Sequence, residues 1–348
     1  MKSNHIYGLQ FNPCNEYLCI VKLLITGATG FLGSHLVVQA IDLGYSVIAT
    51  KRTHSNMELF DSVFDFYLNE KKSPLSQYYS FTTPRLNSST LKSKITDNLV
   101  WKDVDLIDVD SLLNQINQPI DAIFNCASEV SFAKNNSDVL IENNVSTTRN
   151  LVNFAIKKNI KQFIHVSSIA ALSRPKNSNI IDINTEWEDS PYNTDYAISK
   201  YLQELEVWRG KEEGLNIIIV NPGIILGYGK GKTSQHQLES IVKSKNPFYP
   251  IGSNGFIWVE ELAAKMLKLF VENSINQRHL MVTHNLTYKS LFANIAKENQ
   301  VNPPKIAIKG PIYGILLTLA KLCERIRVPF PISSDLLKST YKSSQYKI

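Results

Sequence analysis

Cysteine is scarce in this 348-residue chain. Cys14, Cys19, Cys126 and Cys323 are too few and too scattered for a disulfide framework or a zinc site, so no metal is expected. Long apolar runs are missing too: the richest, Ile312 to Ala320, is far short of the ~18–20 residues of a membrane span. The start carries Lys2 but lacks the ~7–15-residue apolar core of a secretory signal. No internal repeat is visible. Apolar residues make up 43% and charged residues 20%, which excludes a disordered, collagen-like or coiled-coil chain. A globular protein of a reducing, cytoplasmic compartment is the expectation.

Acidic residues are few at one end. From Leu286 to Ile348, ten Lys and Arg face three Asp and Glu, whereas the first 285 residues sum to −1. A basic end region suits nucleic acid or acidic lipid. No aromatic-interleaved basic run accompanies it, so the region reads as a solvated face and no nucleic-acid partner is expected.

What is present is alternation. Residues Met1 to Ile20 lack periodicity and form an extension, read as a non-native start or a disordered arm. Strand patterns follow at Val21–Ile25, Val47–Thr50, Leu99–Trp101, Ile120–Phe124, Phe163–Val166 and Ile217–Val220. Helical patterns lie between them at Ser34–Leu43, Asn144–Lys157 and Ala197–Trp208. Strands alternating with helices imply an α/β fold with a parallel sheet covered on both faces. The stretch Arg52 to Asn98 is long for a connection and must hold its own structure or be partly disordered. After Gly227 the rhythm weakens, and Asn302-Pro303-Pro304 and Val328-Pro329-Phe330-Pro331 punctuate helical stretches. The reading is a dinucleotide-binding domain over 21–227, carrying an insert at 53–98, followed over 228–348 mostly by a smaller substrate lobe.

Gly27, Gly30 and Gly33 follow the first strand and open a helix. Glycines there let backbone approach a pyrophosphate whose charge sits on the helix N-terminus. The second strand ends at Thr50-Lys51-Arg52, with no acid to meet a free ribose 2′-hydroxyl. Arg pairs bidentately with a 2′-phosphate, so NADP(H) is the preferred cofactor, with NAD(H) left open.

With 15 tyrosines in a lysine-rich chain, chance alone supplies about one Tyr-x-x-x-Lys. Three occur: Tyr67/Lys71, Tyr196/Lys200 and Tyr228/Lys232. Tyr67 lies in the insert and Tyr228 in a glycine-rich segment. Tyr196 opens a helical pattern and follows a strand ending in Ser167-Ser168. A helix puts Lys200 one turn beyond Tyr196 on the same face. A close ammonium is expected to lower the phenol from its usual ~10. Tyr196 would exchange a proton with a carbonyl or hydroxyl oxygen, and Ser168 would hydrogen-bond that oxygen.

At these residues the chain resembles the extended short-chain dehydrogenase/reductases of the NAD-dependent epimerase/dehydratase superfamily. The anchors are Thr26-Gly27-Ala28-Thr29-Gly30-Phe31-Leu32-Gly33, Asp105-Leu106, Asn144-Val145, Val166-Ser167-Ser168, Tyr196-Ala197-Ile198-Ser199-Lys200 and Asn221-Pro222-Gly223. Tyr196-x-x-Ser199-Lys200-x-Leu202-x-Glu204-x-x-x-Trp208, with Arg52-x-x-Ser55, is most similar to the dihydroflavonol-reductase-like branch. The resemblance implies a doubly wound Rossmann sheet with a small C-terminal substrate-binding lobe. It implies Ser168, Tyr196 and Lys200 as the catalytic triad, Lys200 also holding the nicotinamide ribose. Cofactor contacts are implied for Gly27, Thr29, Gly30, Phe31, Leu32, Gly33, Arg52, Ser55, Asp105, Leu106, Ala127, Pro222 and Gly223, with Asn144 positioning Lys200 through water. Homodimers built on a four-helix interface are common among such proteins.

Three departures stand out. Phe124-Asn125-Cys126-Ala127-Ser128 replaces the usual His-x-Ala-Ala, altering a wall beside the nicotinamide. About twenty residues precede the first strand where relatives have one or two, and relatives continue beyond the equivalent of Ser343-Ser344, so a truncated end is expected. The leading expectation is hydride transfer between NADP(H) and a small-molecule carbonyl or secondary alcohol. A nucleotide-sugar epimerase and a 3-beta-hydroxysteroid dehydrogenase-like enzyme share the Ser/Tyr/Lys set. Ile169-Ala170-Ala171 after Ser168 argues against a dehydratase, which carries an acidic pair there. A non-catalytic NADP(H) sensor would have lost Tyr196 or Lys200. Substrate choice falls to 174–194, 228–256 and the C-terminal lobe, with Asn184, Trp187 and His236 as candidate pocket residues.

Overall fold

The computed structural model describes residues 21–84, 86–129, 137–175, 177–231, 233–244, 246–326, 328 and 333–348, with backbone alone at Ser137. The expected extension at 1–20, Lys232 and the Pro-Phe-Pro of 329–331 lie outside the described residues.

In chain order the elements are β1 (Lys22–Thr26), α1 (Phe31–Asp42), β2 (Ser46–Lys51), α2 (Glu58–Leu68), α3 (Ser88–Asn98), β3 (Leu99–Asp103), α4 (Val109–Gln115), β4 (Ala122–Asn125), α5 (Ser137–Lys157) and β5 (Gln162–Val166). A 3-10 turn (Ile169–Leu172), β6 (Ile180–Ile181), α6 (Asp195–Glu212), β7 (Ile217–Pro222), β8 (Ile224–Leu226) and α7 (Ser234–Lys243) follow. The rest is β9 (Phe248–Pro250), β10 (Ser253–Trp258), α8 (Val259–Val271), β11 (Gln277–Met281), β12 (His284–Thr287), α9 (Tyr288–Glu298), β13 (Ile306–Ile308), α10 (Gly310–Arg325), α11 (Ser334–Tyr341) and β14 (Gln345–Tyr346).

Seven parallel strands form the main sheet in the order β3-β2-β1-β4-β5-β7-β11. Central strands such as Leu23-Leu24-Ile25 are apolar at every position because both faces are covered. Leu23 and Ile25 point to a core shared with α1 and α8, and Leu24 to one shared with α4, α5 and α6. This is the doubly wound arrangement expected. Strand order reverses between β1 and β4, so the loops leaving those strands open a crevice at their carboxyl ends.

Two features go beyond the sequence reading, which placed no strand after residue 227 and left open whether the insert holds its own structure. The first is β11, which joins the main sheet beside β7 after α8 has packed on α1. Residues 259–281 thus return to the first layer from beyond residue 227. The strand Gln277-Arg278-His279-Leu280-Met281 is half-buried at an edge, so it lacks the apolar run that marked the others.

The second is the insert. It holds two helices, and His35 of α1 anchors the first of them. The Tyr228 carbonyl accepts from His35 Nε2 (2.8 Å), so Nδ1 accepts from the Tyr67 hydroxyl (2.8 Å), which accepts in turn from Gln39 Nε2 (2.8 Å). Burial pushes the imidazole down to about 4, keeping it neutral in this network. The segment after α2 then crosses to the other lobe. Leu75, Tyr78, Tyr79 and Phe81 share a core with Phe256, Trp258, Tyr288 and Phe292. Phe81 stacks on Trp258 with ring centroids 4.5 Å apart, the indole N–H donates to the Pro74 carbonyl (3.2 Å), and Leu75 is 1% exposed. Burying one such leucine contributes about 1.5–3 kcal/mol.

Where this strap and the glycine turn at Gly227 meet α8, Glu260 is wholly buried, its carboxyl pushed up to about 7 mainly by desolvation. Its Oε2 has no hydrogen-bond partner among the described residues. A folded-state value above the unfolded one means stability falls as pH rises from about 4.5 through 7. Glu260→Gln is therefore expected to stabilise the protein by about 1–3 kcal/mol near pH 8. The gain should vanish below about pH 4.5, where the carboxyl is protonated in both states. Denaturant titrations at the two pH values check this; an equal effect at both would show that the carboxyl does not titrate between them.

Candidate active site

The turn after β1 is built on close backbone approach. Gly27 has φ +62°, and a Cβ there would lie 2.8 Å from the Ala127 nitrogen and the Cys126 carbonyl. A Cβ on Gly33 would lie 2.2 Å from the Gly27 oxygen. Gly30 is the N-cap of α1, its N–H donating to Gly27 O (2.9 Å), and no side chain caps that helix start. An uncapped N-terminus on a bare backbone cradle suits an anion. The residues present therefore fit the pyrophosphate of a dinucleotide. Thr29 and Phe31 are half-buried at this turn, while Leu32 is buried in the core.

The wall facing the glycine turn is Asn125-Cys126-Ala127. The Ala127 N–H donates to Thr26 Oγ1 (3.3 Å), which donates to Asn125 Oδ1 (2.9 Å). Asn125 Nδ2 donates to His165 Nδ1 (3.2 Å). Asn125 thus has buried partners on both ends of its amide. Burial pushes the Cys126 thiol up to about 12, against a smaller lowering by the Lys200 ammonium, so it stays a neutral wall atom.

At the end of β2, Lys51 and Arg52 part company. Lys51 Nζ binds Asp103 Oδ1 of β3 at 2.5 Å, so its charge is paired across the two strands. Arg52 is exposed and makes no ion pair among the described residues. Its backbone N–H donates to Ser55 Oγ (3.0 Å) and its carbonyl accepts from the Ser55 N–H (2.9 Å), so these two residues form one tight turn. Of the basic pair, only Arg52 is left to meet an anion. Past β3, the Asp105 carboxylate accepts from the Ile107 N–H (3.0 Å), and the half-buried Leu106 accepts Asn150 Nδ2 (3.1 Å) on its carbonyl.

Ser168, Tyr196 and Lys200 come together beyond β5. Thr194 caps α6 by accepting from the Ala197 N–H (3.1 Å), which fixes where the helix starts and hence the face that carries Tyr196. Ser168 caps the 3-10 turn, accepting from the Ala170 N–H (3.1 Å), and its side chain hydrogen-bonds the Tyr196 hydroxyl. Lys200 is buried and donates to the Val166 carbonyl (3.0 Å). Burial pushes its ammonium down to about 8, opposed by the charge of Glu204.

The expected lowering of Tyr196 by Lys200 is corrected by this geometry. Desolvation raises the phenol above its ordinary value, and the bond with Ser168 offsets this in part. The ammonium is turned to a backbone carbonyl instead. Asn144 is held on both ends of its amide. Its side chain donates to Ser199 Oγ (3.0 Å) and to the Glu129 carbonyl (3.0 Å) and accepts from the Glu129 N–H (2.8 Å). It therefore steadies the residue before Lys200 and the segment after the wall.

Glu204 is the group the sequence reading left without a role. It follows Lys200 by one turn, so Tyr196, Lys200 and Glu204 share a face of α6. Its fully buried carboxylate accepts from Ser167 Oγ (2.5 Å), Asn221 Nδ2 (2.6 Å) and the Nε and Nη2 of Arg278 (2.7 Å each). This ties α6 to the ends of β5 and β7 and to β11. The spacing to Lys200 was visible in the sequence, but the pairing with Arg278 lay hidden in an unrecognised strand.

Pro222 ends β7, with Met281 as its neighbour on β11. Gly223 follows, where a Cβ would lie 2.5 Å from the Gly255 oxygen, so close approach to β10 accounts for this glycine. The candidate pocket residues are scattered. Trp187 stacks on Tyr201 with centroids 4.4 Å apart, Asn184 lies in a turn held by the Asp182 carboxylate (3.0 Å), and His236 sits in the first turn of α7. Tyr67 and Tyr228, from the other two motif matches, serve the α1–α2 network through a hydroxyl and a carbonyl.

Residues 23–278 match the NAD dependent epimerase/dehydratase family. A putative dihydroflavonol 4-reductase of Synechocystis sp. is 24% identical over 326 residues, which cover 92% of this chain and 84% of that one. The solved vestitone reductase of alfalfa (Medicago sativa) superposes with a TM-score of 0.58 at 18% identity, covering 92% of this chain and 96% of its own. The UDP-glucose 4-epimerase of Thermotoga maritima, with a TM-score of 0.62 at 17% identity, covers 92% and 97%. The glycine cradle on an uncapped helix, the doubly wound sheet and the matched span agree: this chain belongs to the NAD-dependent epimerase/dehydratase family, as an NAD(P)-dependent oxidoreductase of the extended short-chain dehydrogenase/reductase type.

Proposed function

We propose that the protein is an NADP(H)-dependent reductase that interconverts a small-molecule carbonyl and a secondary alcohol. The observation that carries this reading is the Ser168–Tyr196 hydrogen bond with Lys200 buried one turn along the same helix. Gly27, Gly30, Gly33 and the N-terminus of α1 would hold the pyrophosphate, and Arg52 the 2′-phosphate. Thr29, Phe31, Ser55, Asp105, Leu106, Ala127, Pro222 and Gly223 would line the rest of the cofactor's course. When bound, the nicotinamide supplies or accepts the hydride. Tyr196 donates its phenolic proton to the substrate oxygen during reduction and takes it back during oxidation. Ser168 hydrogen-bonds the same oxygen as charge develops on it. Lys200, cationic near neutral pH, favours the phenolate left by proton transfer.

The sign of charge at the end of β2 supports NADP(H). Lys51 cancels Asp103, so the ribose end presents Arg52 and no free acid from these strands. Arg52→Asp is expected to weaken NADPH binding by about 10–100-fold, on the scale of a lost charge-assisted pair, and to leave NADH affinity within a few-fold. Calorimetric titration of both cofactors checks this; equal wild-type affinities would remove Arg52 from the role. Turnover is tested by NADPH consumption against a panel of aldehydes and ketones. Tight NADPH binding with no turnover across the panel would favour the sensor reading.

A further inference from the structure

Helix α10 shows solvent an unbroken apolar stripe. Ile312, Ile315, Leu319, Leu322 and Ile326 follow one another at spacings of three and four residues and are 37%, 60%, 42%, 53% and 59% exposed. Val328, just past the helix, is 50% exposed. The stripe is not a loosely placed helix turned the wrong way. The opposite face is engaged: Tyr313, Leu316, Leu317 and Ala320 pack with Ile308, Leu337 and Phe248, and Tyr313 stacks on Tyr341 with centroids 3.8 Å apart. Glu324 accepts from the Ser334 N–H (2.7 Å) and Oγ (2.8 Å), fixing the C-terminal half to the start of α11.

The charge around the stripe has one sign. Lys305 and Lys309 are exposed just before the helix, and Lys321 and Arg325 are exposed on it. From residue 299 to 334 the one acid is Glu324, and it is turned inward to Ser334. A contiguous apolar patch rimmed by cations is not the solvated face expected from composition. It has the pattern of a helix that lies in a membrane interface, apolar side down and basic side at the headgroups. Spanning is excluded for this helix: 16 residues rise about 24 Å, short of the ~20 residues a bilayer core requires, and among the described residues no helix is long and apolar enough to cross.

A second copy of the chain is the rival occupant, since the spacing also fits a coiled-coil seam. Two heptads fall short of the three or four that sustain such a seam, and the like-charged rims of two copies would repel. We propose that α10 docks the protein on the surface of an anionic bilayer, with Ile315, Leu322 and Ile326 entering the acyl boundary and Lys321 and Arg325 meeting lipid phosphates.

The full-length protein is incubated with phosphatidylcholine vesicles carrying about 30% phosphatidylserine, or none, and bound protein is measured by sedimentation. Preferential binding to the anionic vesicles is expected, falling steeply with added salt. The double variant Ile315→Asn, Leu322→Asn should lose at least about tenfold in vesicle affinity. Lys321→Glu, Arg325→Glu should abolish the preference for phosphatidylserine. All four positions are exposed and outside the proposed active site, so unfolding temperature and turnover should stay near wild type. Absence of vesicle binding by the wild type overturns the proposal. So does unchanged binding in the Asn variant, or a wild-type dimer that the Asn variant converts to monomer without any lipid binding.

Discussion

Tyr196→Phe is expected to lower kcat about a thousandfold while leaving NADPH affinity within about threefold of wild type. The phenol is the proton carrier in the proposed reaction, and proton transfer by a positioned side chain accounts for 10²–10⁴ of a typical rate enhancement. Phenylalanine keeps the ring at the start of α6 and removes only the hydroxyl that Ser168 touches. Loss of binding together with rate would mean the residue shapes the site and nothing more. A rate within tenfold of wild type would remove Tyr196 from the chemistry altogether. The pH dependence adds an independent reading. Burial raises the phenol, so the protonated donor needed for reduction persists well above neutral pH. Oxidation, which needs the deprotonated base, should climb with pH instead. A reduction rate that fell as pH rose through about 8 would report the loss of charge on Lys200, since the phenol with its raised value holds its proton there.

Glu204→Ala is expected to cost stability more than any other single change near the site, about 3–5 kcal/mol. Glu204 is fully buried and is the partner of Arg278, whose side chain is 22% exposed. Removing one member of such a pair leaves the other charge without compensation. Ser167 and Asn221 lose their common acceptor in the same step. Lys200 is affected through charge. Glu204 works to raise its ammonium, so removing the carboxylate should carry Lys200 below its present value of about 8. Near pH 7 more of the lysine would then be neutral, and the phenolate of Tyr196 would lose support. Denaturant titration measures the first effect, and the pH profile of turnover the second. Glu204→Gln separates them, because it keeps the shape and some acceptor capacity but not the charge. A Gln variant with a wild-type pH profile would show that Glu204 serves packing alone.

Much of the site was legible because it is local. Strand, glycine turn and helix are contiguous between residues 22 and 42, and backbone contact requires glycine at Gly27 and Gly33. The register of Tyr196 and Lys200 follows from helix geometry once Thr194 caps the helix. What stayed hidden depends on which distant surfaces meet. Periodicity shows that Gln277–Met281 is not a buried strand, yet an edge strand is allowed to be polar on its open side. The partnership of Glu204 with Arg278 spans 74 residues and runs through that strand. The sign of the Tyr196 shift was misread for a related reason. Sequence spacing places Lys200 nearby, but only the fold turns its ammonium to the Val166 carbonyl and half-buries the phenol.

The strap of residues 73–81 has a consequence for how the molecule is made. Trp258 and Phe256 are wholly buried, yet part of their cover is Leu75, Tyr79 and Phe81, translated about 180 residues earlier. The second lobe therefore has no closed core of its own. Until the ribosome has delivered the tryptophan, the strap's leucine and aromatics have no socket, and once it has, closure still demands a long loop. Such late, non-local closure slows folding and leaves apolar surface uncovered in the interval. Only α2 separates Arg52 from the strap, so the last region to close and the turn proposed to select the cofactor belong to one continuous length of chain.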